Sequence, residues 1–162
     1  MRKWLVALMI AAGAALFAVP AFAISQPQKL NFVDVTENNH VIGSFMFDRA
    51  PVGGDGFAST DGLYKWAGAK RGARAGRLET FCTVSYATNS GFTAFCTGQA
   101  ILPSGTVLAQ GFARFSYSGP AQFTLPVVGG TGSYANVRGF VRVRDLGSGD
   151  SGISNLELDL TP

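Results

Sequence analysis

From residue 29 onward, apolar and polar positions alternate with a period of two, broken by short glycine-, proline- and serine-rich punctuation. No stretch holds apolar residues at helical spacing for three turns without a glycine or β-branched interruption, so strands are expected almost throughout. The pattern predicts strands near 29–37, 55–66, 74–87, 92–102, 106–116, 121–128, 137–145 and 153–160. Pro51-Val52-Gly53-Gly54, Pro103-Ser104-Gly105, Ser118-Gly119-Pro120 and the glycine-serine run 147–152 supply turn chemistry between them. A further short strand is a candidate at Val41–Phe47, and Asn38-Asn39-His40 reads as an exposed loop.

The C-terminal pair of strands shows the pattern most clearly. Leu156, Leu158 and Leu160 fall on one face, and Asn155, Glu157 and Asp159 on the other. In the preceding strand Val141 and Val143 alternate with Arg142 and Arg144, with Arg138 further up the chain. Each strand therefore buries one face and wets the other. Pairing them sets arginines beside Glu157 and Asp159 as modest cross-strand ion pairs; an anion-binding arginine ladder is the competing reading. Eight short strands with hairpin-length connections fit a sandwich or a closed barrel, and the alternation does not separate the two. A barrel leaves no sheet edge exposed, and eight strands enclose packed side chains or one small ligand.

The N-terminal stretch differs in kind. Met1-Arg2-Lys3 is a basic start, residues 4–19 are an apolar core, and Ala21-Phe22-Ala23 is a small-x-small cleavage site. Residues 1–23 are expected to be an export signal, leaving a single domain at 24–162 whose home is the periplasm or the cell exterior. An uncleaved anchor is the alternative, although 16 apolar residues are short for a spanning helix. Arg2 and Lys3 leave with the signal, so the formal charge of +3 falls by two to +1. Charged residues are 14% of the chain, against about 25% in ordinary soluble domains. Such a domain offers no broad electrostatic footprint for nucleic acid. One histidine, His40, and two cysteines cannot supply a four-ligand zinc site.

Export makes a disulfide the expected state of Cys82 and Cys96. The two flank the turn-like Thr88-Asn89-Ser90-Gly91 and share parity, so a hairpin sets them on one face. The register decides whether they meet, and two buried free thiols are the alternative.

Gly130-Thr131-Gly132-Ser133-Tyr134-Ala135 satisfies the G-x-G-x-x-A pattern of dinucleotide sites, with Asp150 downstream. The segment that follows has period two rather than a helix, so no helix N-terminus is available to hold a pyrophosphate. Gly129, Gly130 and Gly132 read instead as a tight turn in which one of them takes positive φ.

The residues 125–139, L-P-V-V-G-G-T-G-S-Y-A-N-V-R-G, resemble the V-V-G-G-T-G-x-(F/Y)-x-x-A-R-G signature of dirigent proteins, whose glycine turn is related to that of allene oxide cyclases. Asp61-Gly62-Leu63 resembles the acid-(Pro/Gly)-Leu segment that precedes a V-G-R-x-Q-G element, and residues 75–80 stand where that element belongs. The strands around Cys82 and Cys96 are similar to the paired cysteine strands of bacterial allene-oxide-cyclase-like proteins. The resemblance implies an eight-stranded antiparallel barrel around an apolar cavity, often trimeric. It implies a protein that binds an apolar small molecule, with cofactor-free, metal-free cyclisation or stereoselective coupling as its chemistry. A non-catalytic ligand-binding or structural barrel is the alternative.

Carried over residue by residue, Asp61 matches one family acid and Arg138 the arginine after the glycine turn. Thr60 and Thr124 stand at positions where dirigent proteins often carry acids, Glu79 replaces the glutamine of G-R-x-Q-G, and Thr80 replaces its glycine. These departures weigh against phenoxy-radical stereocontrol and leave cyclisation of another reactive apolar molecule open. Glu79 and Asp61 are the candidate acids. Tyr64, Arg77, Tyr86, Gln99 and Arg138 are the candidate ligand-binding residues. Two alternatives stand for Glu79: an acid/base in the cavity, with Arg77 or Gln99 beside it, or a solvated ion pair with Arg77 on the outside. Asp61, before a glycine, is equally suited to capping a turn.

Overall fold

The computed structural model describes residues 23–43, 50–67, 70–147 and 152–162. The predicted export segment and most of the candidate strand Val41–Phe47 lie outside them. The strands are β1 (Gln28–Ile42), β2 (Gly56–Ala67), β3 (Lys70–Thr88), β4 (Gly91–Leu102), β5 (Gly105–Ser116), β6 (Gln122–Gly130), β7 (Arg138–Asp145) and β8 (Ile153–Thr161). All neighbours are antiparallel, and β8 pairs back onto β1, closing an eight-stranded barrel. The ambiguity between barrel and sandwich is thereby resolved.

Closure follows from the two-residue period. In β8, Leu156, Leu158 and Leu160 are fully buried, while Glu157 accepts a hydrogen bond from Arg142 at 2.7 Å on the outer face. Arg142 and Glu157 are cross-strand partners, and Lys29 of β1 lies 3.7 Å from Asp159. Arg142 is therefore paired with acids, as expected for surface alternation, whereas Arg138 and Arg144 stand opposite Thr161 and Asn155. The inner faces of all eight strands meet in one core running from Phe32 and Leu63 to Leu158 and Leu160.

Two strands depart from the expected pattern. β1 runs through Asn38-Asn39-His40, which pair with Thr60, Ser59 and Ala58. His40 thus stands on an exposed strand, not in a loop, and Val41 and Ile42 end β1 instead of starting a new strand. Polar side chains concealed this because both partners supply backbone bonds regardless of side chain. β3 starts at Lys70, ahead of residue 74. Its first residues, Lys70–Gly76, pair only with β2, since β4 joins at Arg77.

The glycine turn closes one end of the barrel. Gly132 has φ +60° and opens a single 3-10 turn, Gly132–Tyr134. A side chain on Gly132 would run into the backbone of the β4–β5 turn, and one on Gly130 into the carbonyls of Thr106 and Tyr134. The backbone of this turn hydrogen-bonds outward: Thr131 N–H donates to Thr106 O at 2.9 Å and Ser133 N–H to Ser104 O at 2.8 Å. Ser133 O in turn accepts from Ile24 N–H at 2.9 Å, pinning the entry to β1. Tyr134 and Val137 plug this end.

Candidate functional site

Cys82 and Cys96 face each other directly across β3 and β4, with Cα atoms 4.1 Å apart, and form a disulfide. The bridge lies on the inner face, in the wall of a cavity of about 330 Å³. Leu78, Ala100, Ala109, Leu125, Val141 and Leu158 make most of this cavity apolar. Small residues there, Gly98, Ala100 and Ala109, leave the space that larger ones would fill. Phe57, Phe115 and Phe123 lie toward the end opposite the glycine turn, with ring centroids 5.8 Å apart for Phe57–Phe115 and 5.3 Å for Phe115–Phe123.

One wall is different. β8, β1 and β2 contribute Ser154, then Asp34 and Thr36, then Ser59 and Asp61. Asp34 is paired with Ser154 on one side and Leu63 on the other, and Thr36 is paired with Asp61. The two aspartates are diagonal neighbours on the inner face, a placement that sets Cα atoms roughly 7–8 Å apart. Asp34 is 7% exposed and Asp61 3%.

Their environments differ. Ser59 donates to Asp61 Oδ2 at 2.9 Å, and Thr36 supplies a second hydroxyl. Among the described residues no donor reaches Oδ1 of either aspartate. No lysine, arginine or histidine lines the cavity among those residues. Burial, reinforced by the nearby charge of Asp61, pushes the Asp34 carboxyl up to about 8. Burial also raises Asp61, but the Ser59 and Thr36 hydroxyls favour its charged form and oppose the rise. The pair titrates together, with Asp34 the member that keeps its proton at neutral pH. A buried neutral acid beside a hydrogen-bonded carboxylate can give and take protons in a dry space.

Of the residues singled out in the sequence, Asp61 lies in this cavity. It sits mid-strand in β2, opposite Thr36 and Leu78, and caps no turn. Glu79 is on the outer face of β3, where Arg77 Nη2 lies 2.9 Å from its Oε1 and both side chains are about half exposed. The inner positions around it are Leu78 and Thr80. Gln99 is cross-strand from Glu79 and shares its outward face. Tyr64 lies outside under the Arg71 guanidinium, 4.5 Å from its ring centroid. Tyr86 is 66% exposed, and Arg138 donates to the carbonyl of Val137 at 3.1 Å near the glycine turn. None of these five, nor Glu79, lines the cavity.

Asp34, Thr36, Ser59 and Ser154 escaped the sequence reading. A signal existed: Leu30, Phe32, Asp34 and Thr36 have one parity, so an acid stands in phase with core residues. Phe57, Ser59, Asp61 and Leu63 repeat the pattern in β2.

These features define a class: a closed antiparallel barrel with an apolar chamber and an acidic wall. The chain matches the model of the allene oxide cyclase barrel-like domain over residues 36–158, most of its length, and belongs to that family. No curated protein matches the sequence. Solved structures share the fold at low identity. A pyocyanin demethylase aligns with TM-score 0.67 and 22% identity, over 83% of this chain and 100% of that one. AbnU, an exo-specific intermolecular Diels-Alderase, gives 0.65 and 16%, over 83% and 97%. The pterocarpan synthase dirigent protein PsPTS1 gives 0.63 and 15%, over 86% and 96%.

Proposed function

We propose that the protein is an exported barrel that takes up an apolar small molecule and promotes its cofactor-free cyclisation or isomerisation. The observation that supports this most directly is the chamber itself: about 330 Å³ of largely apolar space with Asp34 and Asp61 on a single wall. A chamber of that size is within the range of small-molecule sites, so a barrel packed solid is not the reading it favours. In the proposed step, Asp34 donates its proton to an oxygen of the bound molecule as a bond to that oxygen polarises. Asp61 accepts a proton from carbon, and transfer between the two carboxyls restores the starting state. Atoms and electrons balance within the substrate, so an isomer leaves and no oxidant or reductant is consumed. That two Diels-Alderases and a pterocarpan synthase dirigent protein share this barrel supports a bond-forming or isomerising role for the chamber.

Export is supported by the basic-apolar-small pattern of residues 1–23 and by the Cys82–Cys96 disulfide. Among the described residues no helix is long and apolar enough to cross a membrane. Assembly into a homotrimer is supported by the outward phenylalanines Phe81, Phe95 and Phe112 on adjoining strands.

Native mass spectrometry of the exported protein tests the reading, reporting subunit number and any co-purifying small molecule together. The neutral fluorophore N-phenyl-1-naphthylamine serves as a direct probe of the chamber. Gly98→Leu should abolish its binding without unfolding the barrel, because a Cβ at Gly98 meets Leu78 only at an ordinary 3.8 Å and the rest of the side chain enters the space. Unchanged probe binding in Gly98→Leu would refute the chamber as the binding site. Binding with no turnover of any co-purified molecule would favour the non-catalytic alternative.

A further inference from the structure

The strongest concentration of charge lies away from the chamber, at the far tip of the β2–β3 hairpin. Between Tyr64 and Arg77 the sequence carries Lys65, Lys70, Arg71, Arg74 and Arg77 and no acid. The whole chain has 13 cations, and removing Arg2 and Lys3 leaves 11, so nearly half of the remainder fall in this one segment. The register shows that the segment projects: β1 reaches β2 only as far as Lys65, and β4 reaches β3 only as far as Arg77. Trp66 and Ala67 therefore pair only with β3, and Lys70–Gly76 only with β2, as a two-stranded ribbon beyond the barrel wall.

Arg74 is matched by Glu37 at 2.9 Å, and Arg77 by Glu79 at 2.9 Å. Lys65 and Arg71 are exposed and form no ion pair with any described acid. Arg71 is held over the Tyr64 ring, and Trp66, its cross-strand partner, is 41% exposed at the tip. Charges on a free strand edge ordinarily block edge-to-edge pairing, but that task requires no exposed tryptophan. Cations flanking an indole suit the boundary between water and an anionic bilayer, where indole rings settle at headgroup depth.

We propose that the Trp66 ribbon docks the protein peripherally on an anionic phospholipid surface, with the phenylalanine-bearing end of the chamber turned away from the membrane. Trp4 and Trp66 are the two tryptophans, so after removal of residues 1–23 Trp66 is the sole indole and reports its own surroundings. The test uses exported protein, checked by intact mass, with vesicles of phosphatidylcholine alone or mixed with phosphatidylglycerol.

The wild type should sediment with the mixed vesicles and not with phosphatidylcholine alone. Its Trp66 emission should shift to the blue on binding, and high salt should release it. The double substitution Lys65→Glu and Arg71→Glu should weaken sedimentation by at least about tenfold while naphthylamine binding in the chamber stays intact. Trp66→Ala should also weaken it with every charge retained. Equal sedimentation with both vesicle types, or an unimpaired double variant, would overturn the proposal. Binding to heparin without binding to mixed vesicles would do the same, by assigning the ribbon to a soluble polyanion.

Discussion

The chemistry proposed for the chamber rests on a difference between two aspartates that share a sheet face. Among the described residues Oδ1 is unmatched in both, but Asp61 receives two hydroxyls, whereas Asp34 is buried against Leu63 and core residues. A buried carboxyl without a cation lowers its cost by staying neutral, which in the proposed step makes Asp34 the proton donor and Asp61 the acceptor. Asp34→Asn should therefore remove most turnover of a co-purified substrate, a loss on the order of 10²-fold or more for a general acid. Asp61→Asn should impair turnover comparably, and Glu79→Gln should leave it unchanged, since that side chain lies outside in its pair with Arg77. Steady-state assays of the three variants check this.

The same asymmetry fixes a pH dependence. The Asp34 carboxyl is raised from 3.8 to about 8 on folding, so between those values the folded protein binds more protons than the unfolded chain. Its contribution to stability is fully present below about pH 4 and is lost as pH rises toward 8. Thermal melts of Asp34→Asn should lack that part of the decline, and the variant should melt higher than wild type at pH 8 and above. Proton donation by Asp34 likewise fails as pH climbs through about 8, giving an alkaline limb in the activity profile that Asp34→Asn removes.

At the scale of elements, the two hairpins that flank β3 do different work. The β3–β4 hairpin carries the disulfide across residues separated by 14 in sequence. A closed loop of that size stabilises the fold by about 2–4 kcal/mol. Reduction, or Cys82→Ala with Cys96→Ala, should lower chemical-denaturation stability by that amount, and protein taken from its native compartment should show no alkylatable thiol. The seam between β5 and β6 is the thinnest part of the wall. Its ladder spans Val107 to Ala109 against Val127 to Gly130, and Pro126 lacks an amide to extend it. β4 and β5, by contrast, pair continuously from Gly91 to Leu102. Amide hydrogen exchange over Gln110–Ser116 should accordingly be faster for amides aimed at β6 than for those aimed at β4.

Across the whole molecule, most strands and their inward parity were legible in the sequence, because the period-two pattern is written by local burial and turn chemistry. Leu156, Leu158 and Leu160 show this directly: alternation put them on one face, and the barrel buries all three. The family signature at 125–139 carried the expectation of closure, and the glycines at 130 and 132 stand where neighbouring backbone approaches too closely for a side chain. The candidate site was less legible. Of the residues singled out, Asp61 lines the chamber, and Glu79, Gln99, Tyr64, Tyr86, Arg77 and Arg138 stand outside it. Parity groups residues by face without saying which face is inner, and Glu79 and Leu78 are neighbours in sequence with opposite fates.

The sequence by itself determined the positions of most strands and turns and the alternation that makes each strand two-faced, since these depend on residues close along the chain. Only the tertiary structure decided that β8 returns to β1, and that closure brings Asp34 and Asp61 together with Ser154, far away in sequence, on one acidic wall. It also decided that, among the described residues, the β2–β3 ribbon extends past the ends of its pairing with β1 and β4. Strand registers and ring closure are set by long-range pairing, and a carboxyl's affinity for its proton depends on what that pairing packs around it.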